Sequence, residues 1–412
     1  MIPRFITKTI IDSVKHFPIT LLTGPRQIGK TTELLNSFNS KGFNYISLDD
    51  SFNLAFARKD PRSFLDLHPS PLIIDEAQKA PELFVEIERI VNESRLKRGN
   101  MESNGMYILS GSQRKDLLDR AEESLSGRVA ILDMNNLSIN EILGKDNSSF
   151  EVNLAKDSQR SLRYTLNESQ AFEYIVKGFF PVLYADPSIN ISVFYSSYIT
   201  TYLGKDLRDL ININDEFKFL NFLKLLASNT GEELVYDNYA KNIGVSINTI
   251  KSWTSVLVKT AIIYLVEPYK EESIVKRVVK RPKMYFFDTG LAAYLCGITD
   301  AKTLQNSFLK GRFFETFVFN EIRKSFMNEG IMQTLYYYRD SEQNEVDMIL
   351  VREGKISCVE IKAGQNFNAS DTKAFKNLIN SKLVHGKNAI VCTADKISML
   401  NDGTLLLPIS SI

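Results

Sequence analysis

The residues best suited to chemistry in this sequence lie in one short glycine-containing segment near the amino terminus. Residues 24–31 read GPRQIGKT and match the pattern G-x-x-x-x-G-K-[ST] in full. Gly24 and Gly29 would let the backbone wrap closely around a phosphate. Lys30 would reach the β and γ phosphates, and Thr31 would ligate Mg²⁺. The sequence therefore predicts ATP and Mg²⁺ as ligands, with these candidate nucleotide-binding residues: Gly24, Pro25, Arg26, Gln27, Ile28, Gly29, Lys30, Thr31, Thr32, Asp75 and Ser112.

An acidic pair follows at a position that suits the same chemistry. The apolar run PLIIDEA ends in Asp75 and Glu76. If this run is a parallel strand, its carboxyl end lies beside the phosphate loop. Asp75 would then hold Mg²⁺ through water, and Glu76 would act as general base on the attacking water. The alternative is that the pair only caps the next helix, AQKAPELFVEIERIV.

Two further segments add weaker candidates to this site. The run MYILSGS brings Ser110, Ser112 and Gln113 to the same sheet edge, where they would contact the γ-phosphate as a sensor. A polar turn after a strand is the simpler explanation. Arg128, before the run VAILDM, is a candidate arginine finger for its own or a neighbouring subunit. The alternative for Arg128 is an ordinary surface arginine.

A second group of chemically suited residues lies near the carboxyl terminus. Glu315 falls in the helical segment GRFFETFVFNEI, Asp347 in the strand NEVDMILV, and Glu360 and Lys362 in the strand SCVEIKAG. Strand side chains alternate, so Glu360 and Lys362 project to one face, where Asp347 could join them. Asp347 and Glu360 are candidate Mg²⁺ ligands, Lys362 would position or activate water, and Glu315 would complete the site. A structural salt bridge between Glu360 and Lys362 would leave the same pattern.

A helix-turn-helix pattern lies between these two groups. Residues 235–268 read as a helix, a turn at Gly244, a cap at Ser246 and a second amphipathic helix. We expect DNA contact through residues 246–252, and through the basic segment 276–283 acting as the wing of a winged helix. The alternative is a protein-binding module or a lid. The outward-facing residues of the second helix would be Asn248, Thr249, Lys251 and Ser252, and the basic residues are Lys276, Arg277, Lys280, Arg281 and Lys283.

The elements that must position these residues define an α/β multidomain chain. Five short apolar runs between helical stretches predict a parallel sheet with helices on both faces, the P-loop NTPase arrangement, over residues 1–160. They are PITLLTG, FNYISLDD, PLIIDEA, MYILSGS and RVAILDM. A polar boundary loop at 144–161 closes this domain. Residues 161–234 read as a helical linker or lid, and residues 235–300 as a winged helix-turn-helix ending in the β-like segment KMYFFDTGLAAYL. Residues 301–412 form a separate α/β domain in which a helix precedes the strands YYYRD, EVDMILV, ISCVEIKAG and AIVCTA.

Composition restricts the class of protein further. The 412 residues are 44% hydrophobic and 24% charged, typical of a globular chain, and the net charge of +1 gives no global attraction to nucleic acid. Three scattered cysteines fit a reducing compartment. No apolar run approaches the roughly 20 residues that span a bilayer, so we expect a cytoplasmic protein without membrane contact. A nucleotide site of this kind suggests an oligomer, and a monomer is the alternative because no obvious second arginine pair is present.

Nearly the whole chain resembles one known family. GPRQIGKTT, LIIDEAQKAPELF and LSGSQ are similar to the AAA-type ATPase domain of bacterial and archaeal proteins that carry a C-terminal domain of unknown function, DUF4143. The similarity continues through GFFPVL, TYLGKDL, KMYFFDTGLAAYL, GRFFETFV and VEIKAG. This resemblance implies a C-terminal fold of the PD-(D/E)XK nuclease type. Val346 replaces the proline that often precedes the aspartate of that motif.

These observations lead to one main functional prediction and two alternatives. The main prediction is Mg²⁺-dependent ATP binding and hydrolysis that drives rearrangement of the winged-helix and nuclease-like modules, acting on DNA. One alternative is a nucleotide-gated DNA nuclease. The other is a non-cleaving, ATP-dependent switch that binds DNA or protein.

Overall fold

The N-terminal unit is built on a sheet of five parallel strands. The structure is a computed structural model that describes residues 2–112, 117, 125–162, 164–201, 216–270, 281–368, 370–378 and 382–412. The strand order is β2-β3-β4-β1-β5, with Ile19 of β1 opposite Tyr107 of β4 and Val129 of β5. The strands are β1 (Ile19–Thr23), β2 (Asn44–Ser47), β3 (Leu72–Asp75), β4 (Tyr107–Gly111) and β5 (Val129–Asp133). All five strands predicted from the sequence are confirmed.

Helices cover both faces of this sheet. Alternation along each strand sends neighbouring side chains to opposite faces: Leu22 and Ile73 pack with the first two helices, while Leu21 and Ile74 pack with the next three. The helices are α1 (Ile6–His16), α2 (Lys30–Phe38), α3 (Ser51–Lys59), α4 (Pro61–Leu67), α5 (Glu82–Arg98) and α6 (Ile139–Ile142). Burial on both faces explains why these strands read as continuous apolar runs.

The middle of the chain is mostly helical and contains a small antiparallel sheet. The order of its three strands is β6-β8-β7, and β6 precedes a pair of helices that β7 and β8 follow. A turn at Gly244 joins the two helices, and its φ of 71° suits glycine. The helices are α7 (Leu154–Ser161), α8 (Glu168–Lys177), α9 (Val182–Ala185), α10 (Ile191–Thr201), α11 (Glu216–Ser228), α12 (Tyr236–Ile243), α13 (Ile247–Lys259), α14 (Thr289–Leu295) and α15 (Ala301–Gln305). The strands are β6 (Glu232–Glu233), β7 (Ile263–Val266) and β8 (Lys283–Phe286).

Two local expectations for this region need correction. The boundary loop predicted at 144–161 contains helix α7, because the Asn153 side chain accepts hydrogen bonds from the backbone N–H groups of Ala155 and Lys156 and starts a helix there. The β-like segment KMYFFDTGLAAYL is a strand only in its first part. Asp288 accepts a hydrogen bond from the Leu291 N–H and caps α14 directly after β8.

The C-terminal unit packs one long helix against a mixed sheet. The first three strands form an antiparallel meander, and β13 and β15 then add in parallel, giving the order β14-β15-β13-β11-β10-β9 with β12 beside β11. The helix is α16 (Lys310–Met327). The strands are β9 (Leu335–Arg339), β10 (Glu345–Arg352), β11 (Lys355–Lys362), β12 (Val384–His385), β13 (Ala389–Cys392), β14 (Ser398–Met399) and β15 (Leu405–Pro408). The helix and the four strands predicted here are confirmed.

The units pack against one another through a shared core. One cluster of buried apolar side chains extends from Ile6 through Phe222 and Phe317 to Ile412. Within the described ranges, no helix is both long and apolar enough to cross a bilayer.

Candidate functional site

The phosphate loop connects the carboxyl end of β1 to the start of α2. Its backbone has positive φ angles at Gly24 (145°), Gln27 (61°) and Gly29 (92°). A Cβ at Gly24 would lie 2.2 Å from the carbonyl oxygen of Met134, so only glycine fits beside that backbone. Gly29 directly precedes α2, whose first turn therefore presents backbone N–H groups at the loop. This is the geometry that binds a phosphate.

Lys30 is the buried cation of this loop. Its residue surface is 7% exposed, and its Nζ donates hydrogen bonds of 2.8 Å to the carbonyl oxygens of Gly24 and Pro25. Burial lowers the pKa of Lys30 to about 8, while the carboxylates of Glu76 and Asp75 raise it. An ammonium group removed from water in this way interacts strongly with an anion placed at the loop.

Asp75 links the phosphate loop to the neighbouring strands. It is 6% exposed, and its Oδ2 accepts hydrogen bonds from Thr31 Oγ1 at 2.6 Å and Tyr45 Oη at 3.1 Å. Its Oδ1 accepts one from Ser110 Oγ at 2.5 Å and one from the Glu76 N–H at 3.1 Å. A hydroxyl and a carboxylate in contact at the end of the loop are the oxygen donors that Mg²⁺ prefers. Thr31 and Asp75 therefore fit a nucleotide-bound magnesium ion.

Glu76 lies beside Asp75 but faces a different set of partners. Its backbone is left-handed (φ 56°), and its Oε2 accepts hydrogen bonds from Gln78 Nε2 and, at 3.3 Å, from Ser112 Oγ. The Glu76 side chain makes no capping hydrogen bond to the short 3₁₀ helix that follows, and α5 begins only at Glu82. The helix-cap alternative therefore has no support from the geometry. The carboxylate is held by polar groups at the sheet edge, as a general base would need to be.

The remaining loop candidates occupy different environments. Pro25 and Ile28 are buried, Arg26 is half-buried, and Gln27 and Thr32 are exposed. Ser110 binds Asp75 and Ser112 binds Glu76, so both predicted sensor hydroxyls act on the acidic pair in this structure. Gln113 lies outside the described residues.

Arg128 lies at the amino ends of the parallel strands, whereas the phosphate loop lies at their carboxyl ends. It precedes β5, and its carbonyl oxygen accepts the N–H of Ile19 at the beginning of β1. The five residues of β1 span about 16 Å from the amino end of the strand to its carboxyl end. The Arg128 guanidinium is also held by Asn92 Oδ1 at 2.7 Å and Glu88 Oε1 at 3.4 Å. The prediction of an arginine finger for its own subunit is therefore wrong, whereas a role toward a neighbouring subunit stays a prediction.

Tyr45 and Arg4, like Gln78, bear on the site and were missed by the sequence analysis. Tyr45 comes from β2 and reaches Asp75, and burial together with the Asp75 carboxylate raises its pKa to about 12. Tyr45 lies in a strand of the same sheet, two residues before its carboxyl-terminal Ser47, and this was the available signal. Arg4 donates to the Ile28 carbonyl oxygen of the loop at 2.9 Å, and no pattern around residue 4 indicates this contact.

The carboxyl-terminal candidates come together, but around an unexpected lysine. Lys362 Nζ lies 3.5 Å from Glu360 Oε1, and the Asp347 carboxylate accepts the N–H of Ile361 at 2.8 Å. Lys283 Nζ lies 2.8 Å from Glu315 Oε1 and 3.6 Å from Asp347 Oδ1. Burial raises the pKa of Glu360 to about 9, and the neighbouring Asp347 carboxylate raises it as well, while Lys362 lowers it.

Lys283 places a positive charge at the predicted Mg²⁺ site. Among the residues that the structure describes, no group of three or more histidine, cysteine, aspartate or glutamate side chains is arranged to hold a metal ion. The prediction that Asp347 and Glu360 bind Mg²⁺ involves two carboxylates and stays a prediction. The Glu360–Lys362 ion pair is the alternative that the sequence had left open.

The helix-turn-helix segment presents part of its expected surface. Asn248, Lys251 and Ser252 are exposed on α13, whereas Thr249 is half-buried and its N–H and hydroxyl bind the Ser246 hydroxyl. Of the basic segment, residues 276–280 lie outside the described residues and Arg281 is exposed. Lys283 is buried among carboxylates, so the prediction that it contacts DNA phosphates is wrong.

Three family models match successive parts of the chain. Residues 16–143 match the model described as an AAA domain. Residues 168–302 match a domain of unknown function, DUF8612, and residues 310–412 match a second domain of unknown function, DUF4143. The first match contains the phosphate loop and the acidic pair, and the last contains the carboxylate cluster.

The chain is also similar to curated relatives and to solved structures. The uncharacterized protein Rv2008c of Mycobacterium tuberculosis is 26% identical over 404 residues, covering 96% of this chain and 81% of the relative, and Mb2031c of Mycobacterium bovis gives the same values. The Walker-type ATPase PABY2304 of Pyrococcus abyssi is 13% identical, with a TM-score of 0.42, covering 70% of this chain and 94% of that one. The RuvB Holliday junction branch migration motor of Thermotoga maritima is 13% identical, with a TM-score of 0.30, covering 63% and 88%. At such TM-scores neither likeness adds to what the sheet and the loop already establish. The chain therefore carries an AAA domain at residues 16–143 and a DUF4143 domain at residues 310–412.

Proposed function

We propose that this protein binds Mg²⁺-ATP at the loop of residues 24–31 and hydrolyses it. The observation that carries the proposal is the 2.6 Å hydrogen bond between Thr31 Oγ1 and Asp75 Oδ2. It brings the end of the phosphate loop into contact with the acidic end of β3, which is the pairing that a nucleotide-bound Mg²⁺ requires.

Each residue of the site has a role that follows from its contacts. Lys30 exchanges its two loop carbonyl partners for phosphate oxygens, which gives the buried ammonium group a full counter-charge. Asp75, oriented by Tyr45 and Ser110, would hold the Mg²⁺ ion that accompanies the nucleotide. Glu76 accepts the proton of the attacking water, while Gln78 and Ser112 fix the orientation of its carboxylate.

Two variants separate binding from hydrolysis. Lys30→Ala should abolish tight ATP binding and turnover, because the loop loses its buried cation. Glu76→Gln should keep ATP binding and lower turnover by roughly 10²- to 10⁴-fold, the usual contribution of a general base. Phosphate release and binding of a fluorescent ATP analogue measure the two effects.

The controls are Lys8→Ala and Glu82→Gln, which change an exposed lysine and an exposed glutamate elsewhere in the same unit. Both should behave as wild type. Wild-type turnover in Lys30→Ala would refute the proposal, and wild-type turnover in Glu76→Gln would remove Glu76 from its role as base.

A second proposal is that nucleotide state rearranges the attached modules during action on DNA. The exposed side chains of Asn248, Lys251 and Ser252 at the start of α13 favour it, because a second helix of this kind reads the major groove in helix-turn-helix proteins. Lys251→Glu should weaken duplex binding in fluorescence anisotropy, and the affinity of the wild type should fall steeply with salt. Lys224→Glu, an exposed lysine on α11, is the matched control. No binding at low salt would reject the DNA proposal.

Two alternatives from the sequence stay predictions. A nucleotide-gated nuclease requires Mg²⁺-dependent nicking of plasmid DNA that is lost in Asp347→Ala. A non-cleaving switch requires ATP-dependent retention of DNA or protein without any nicking.

A further inference from the structure

Lys283 is a fully internal cation of the carboxyl-terminal carboxylate cluster. Only 2% of the residue is exposed, although lysine is almost never buried without a counter-charge. It is the first residue of β8, a strand of the small sheet beside the helix-turn-helix, and not part of the C-terminal sheet. Its side chain therefore crosses from one unit into another.

Three carboxylates from the C-terminal unit converge on this ammonium group. Nζ lies 2.8 Å from Glu315 Oε1 on α16 and 3.6 Å from Asp347 Oδ1 on β10, and it contacts Glu345 Oε1 at the start of β10. Tyr285 Oη donates a hydrogen bond of 2.6 Å to the same Glu315 oxygen. Burial alone would lower the pKa of Lys283, but the carboxylates, Glu315 foremost, raise it well above its ordinary value. The side chain stays charged.

The ammonium group takes the place that a divalent cation would need. Mg²⁺ requires oxygen ligands at about 2.0–2.1 Å in near-octahedral geometry. Here Glu315 and Asp347 already direct oxygens at Lys283 Nζ, and Glu360 Oε1 lies 3.5 Å from Lys362 Nζ. The described residues accordingly offer no metal-binding group. A cation brought into this space would meet the full positive charge of Lys283 at short range.

Further contacts hold β8 in place against the C-terminal sheet. The N–H of Tyr269, three residues after β7, donates to the Tyr337 carbonyl oxygen on β9 at 2.7 Å, and the Tyr337 hydroxyl donates to the Arg281 carbonyl oxygen. Arg339 of β9 pairs with Glu233 of β6 at 3.4 Å. The small sheet is thus docked on the C-terminal sheet along an edge, and Lys283 is the charged centre of that contact.

We infer that Lys283 is the resident cation of the cluster formed by Glu315, Glu345, Asp347 and Glu360, and that it excludes divalent metal ions while β8 is docked. The contact is an autoinhibitory lock: the cluster accepts a metal ion only when Lys283 is withdrawn. This inference does not depend on ATP hydrolysis, since its residues are separate from those of the phosphate loop.

Titration of the full chain with Mn²⁺, followed by the electron paramagnetic resonance signal of free Mn²⁺ without nucleotide, tests the lock. All chains carry Asp75→Asn, which removes the carboxylate suited to a cation at the phosphate loop. The parent chain should bind no Mn²⁺ at the cluster, so adding Asp347→Asn should leave its titration unchanged. Lys283→Met should gain one site at least roughly tenfold tighter than any in the parent, because the repelling charge is gone. Asp347→Asn should remove that site.

Arg281→Met is the matched control, because it removes an exposed cation two residues away and should bind as the parent does. Circular dichroism checks that each variant is folded. If Lys283→Met does not fold, Lys283→Gln, which keeps a hydrogen-bond donor without the charge, replaces it. Asp347-dependent Mn²⁺ binding in the parent would overturn the inference. So would a folded Lys283→Met or Lys283→Gln chain that gains no site.

Discussion

Arg4 provides the most direct test of how the phosphate loop is supported. Its Nη1 donates to the Ile28 carbonyl oxygen at 2.9 Å, and its Nη2 donates to the carbonyl oxygens of Asn135 at 2.5 Å and Asn136 at 3.3 Å. Its Nε forms a 3.1 Å ion pair with Glu141 Oε1. Arg4 is 8% exposed and Glu141 is also buried. One guanidinium group therefore joins the loop to the segment that follows β5.

The substitution Arg4→Met keeps the apolar stem and removes all four hydrogen bonds. The Glu141 carboxylate then stays buried without its cation, although the N–H of Phe5 still donates to it at 2.8 Å. Breaking one side of a buried ion pair costs about 3–5 kcal/mol of stability. For a unit of this size each kcal/mol corresponds to about 2–4 °C in Tm. We therefore expect a fall of about 10 °C in the Tm of the N-terminal unit.

The loop itself should also lose order, because the Ile28 carbonyl oxygen no longer has its donor. We expect the affinity for a fluorescent ATP analogue to fall roughly tenfold, equivalent to about 1.4 kcal/mol. Differential scanning calorimetry and nucleotide titration at a temperature where the variant is fully folded separate the two effects. Lys8→Met removes an exposed lysine from the same region and should change neither quantity. An Arg4→Met chain that melts within 2 °C of Lys8→Met, on the order of 1 kcal/mol, would refute this account of Arg4.

Three other predictions follow from single contacts. Tyr45→Phe removes one of the four hydrogen bonds to the Asp75 carboxylate and should lower kcat/KM for ATP by roughly fivefold, about 1 kcal/mol. The Tm should stay the same. An unchanged kcat/KM would show that Tyr45 does not orient the carboxylate. Asp288→Asn should lower the free energy of unfolding by about 3 kcal/mol, because each carboxylate oxygen accepts two hydrogen bonds and the amide NH₂ of asparagine would face two of these donors. Denaturant unfolding measures this change, and a midpoint equal to that of the wild type would contradict it. Arg128→Ala should leave ATP turnover unchanged at concentrations where the chain is monomeric, because Arg128 lies at the amino ends of the strands and the phosphate loop at their carboxyl ends. A lower rate of the monomer would contradict that placement. A loss confined to oligomers would indicate an arginine finger acting between subunits.

The positions of the phosphate loop and Asp75 could be predicted because they depend on short contiguous segments of sequence. A glycine loop between a strand and a helix has one geometry, and a parallel strand that ends in an acid places that acid at the same sheet edge. The five strands were equally clear, since burial on both faces makes each a short apolar run. Local sequence therefore contains most of the information about the N-terminal sheet and the position of its loop and of Asp75.

The partners that orient these residues could not be predicted in the same way. Arg4 and Glu141 are 137 positions apart, and Tyr45 and Asp75 are 30 apart. Nothing at residue 4 distinguishes a buried arginine from the many exposed ones. Such contacts depend on how the elements pack, and a single sequence does not record that packing.

Lys283 shows how a correct local pattern can give a wrong role. It ends a basic segment that reads as the wing of a DNA-binding unit, and the strand begins where the sequence suggested. The side chain, however, faces the C-terminal unit, where unpaired carboxylates would otherwise be buried. Buried charges of one sign require a partner, and here the partner comes from a distant segment. Charge pairing in three dimensions outweighs the charge pattern along the chain.

The segment after β5 connects the phosphate loop to the C-terminal unit. On one side Arg4 holds it to Ile28 of the loop. On the other side Glu321 Oε2 accepts the N–H of Ile139 at 2.9 Å, and Lys324 Nζ donates to the Leu137 carbonyl oxygen at 2.7 Å. Glu321 and Lys324 both belong to α16, so the loop and this helix hold the same short stretch of backbone.

Helix α16 also carries Glu315, the main partner of Lys283. Glu315 and Glu321 are about 9 Å apart along one continuous helix, which moves nearly as a rigid body over that distance. A displacement of the Ile28 carbonyl oxygen must therefore break its hydrogen bond to Arg4, break the hydrogen bonds between Arg4 and the segment after β5, or move that segment. If the segment moves, the hydrogen bonds of Glu321 and Lys324 transmit the motion to Glu315, where a 2.8 Å ion pair has little tolerance for it. The ion pair between Lys283 and Glu315 is thus joined, through α16 and the segment after β5, to the buried hydrogen bonds that Arg4 makes at the phosphate loop.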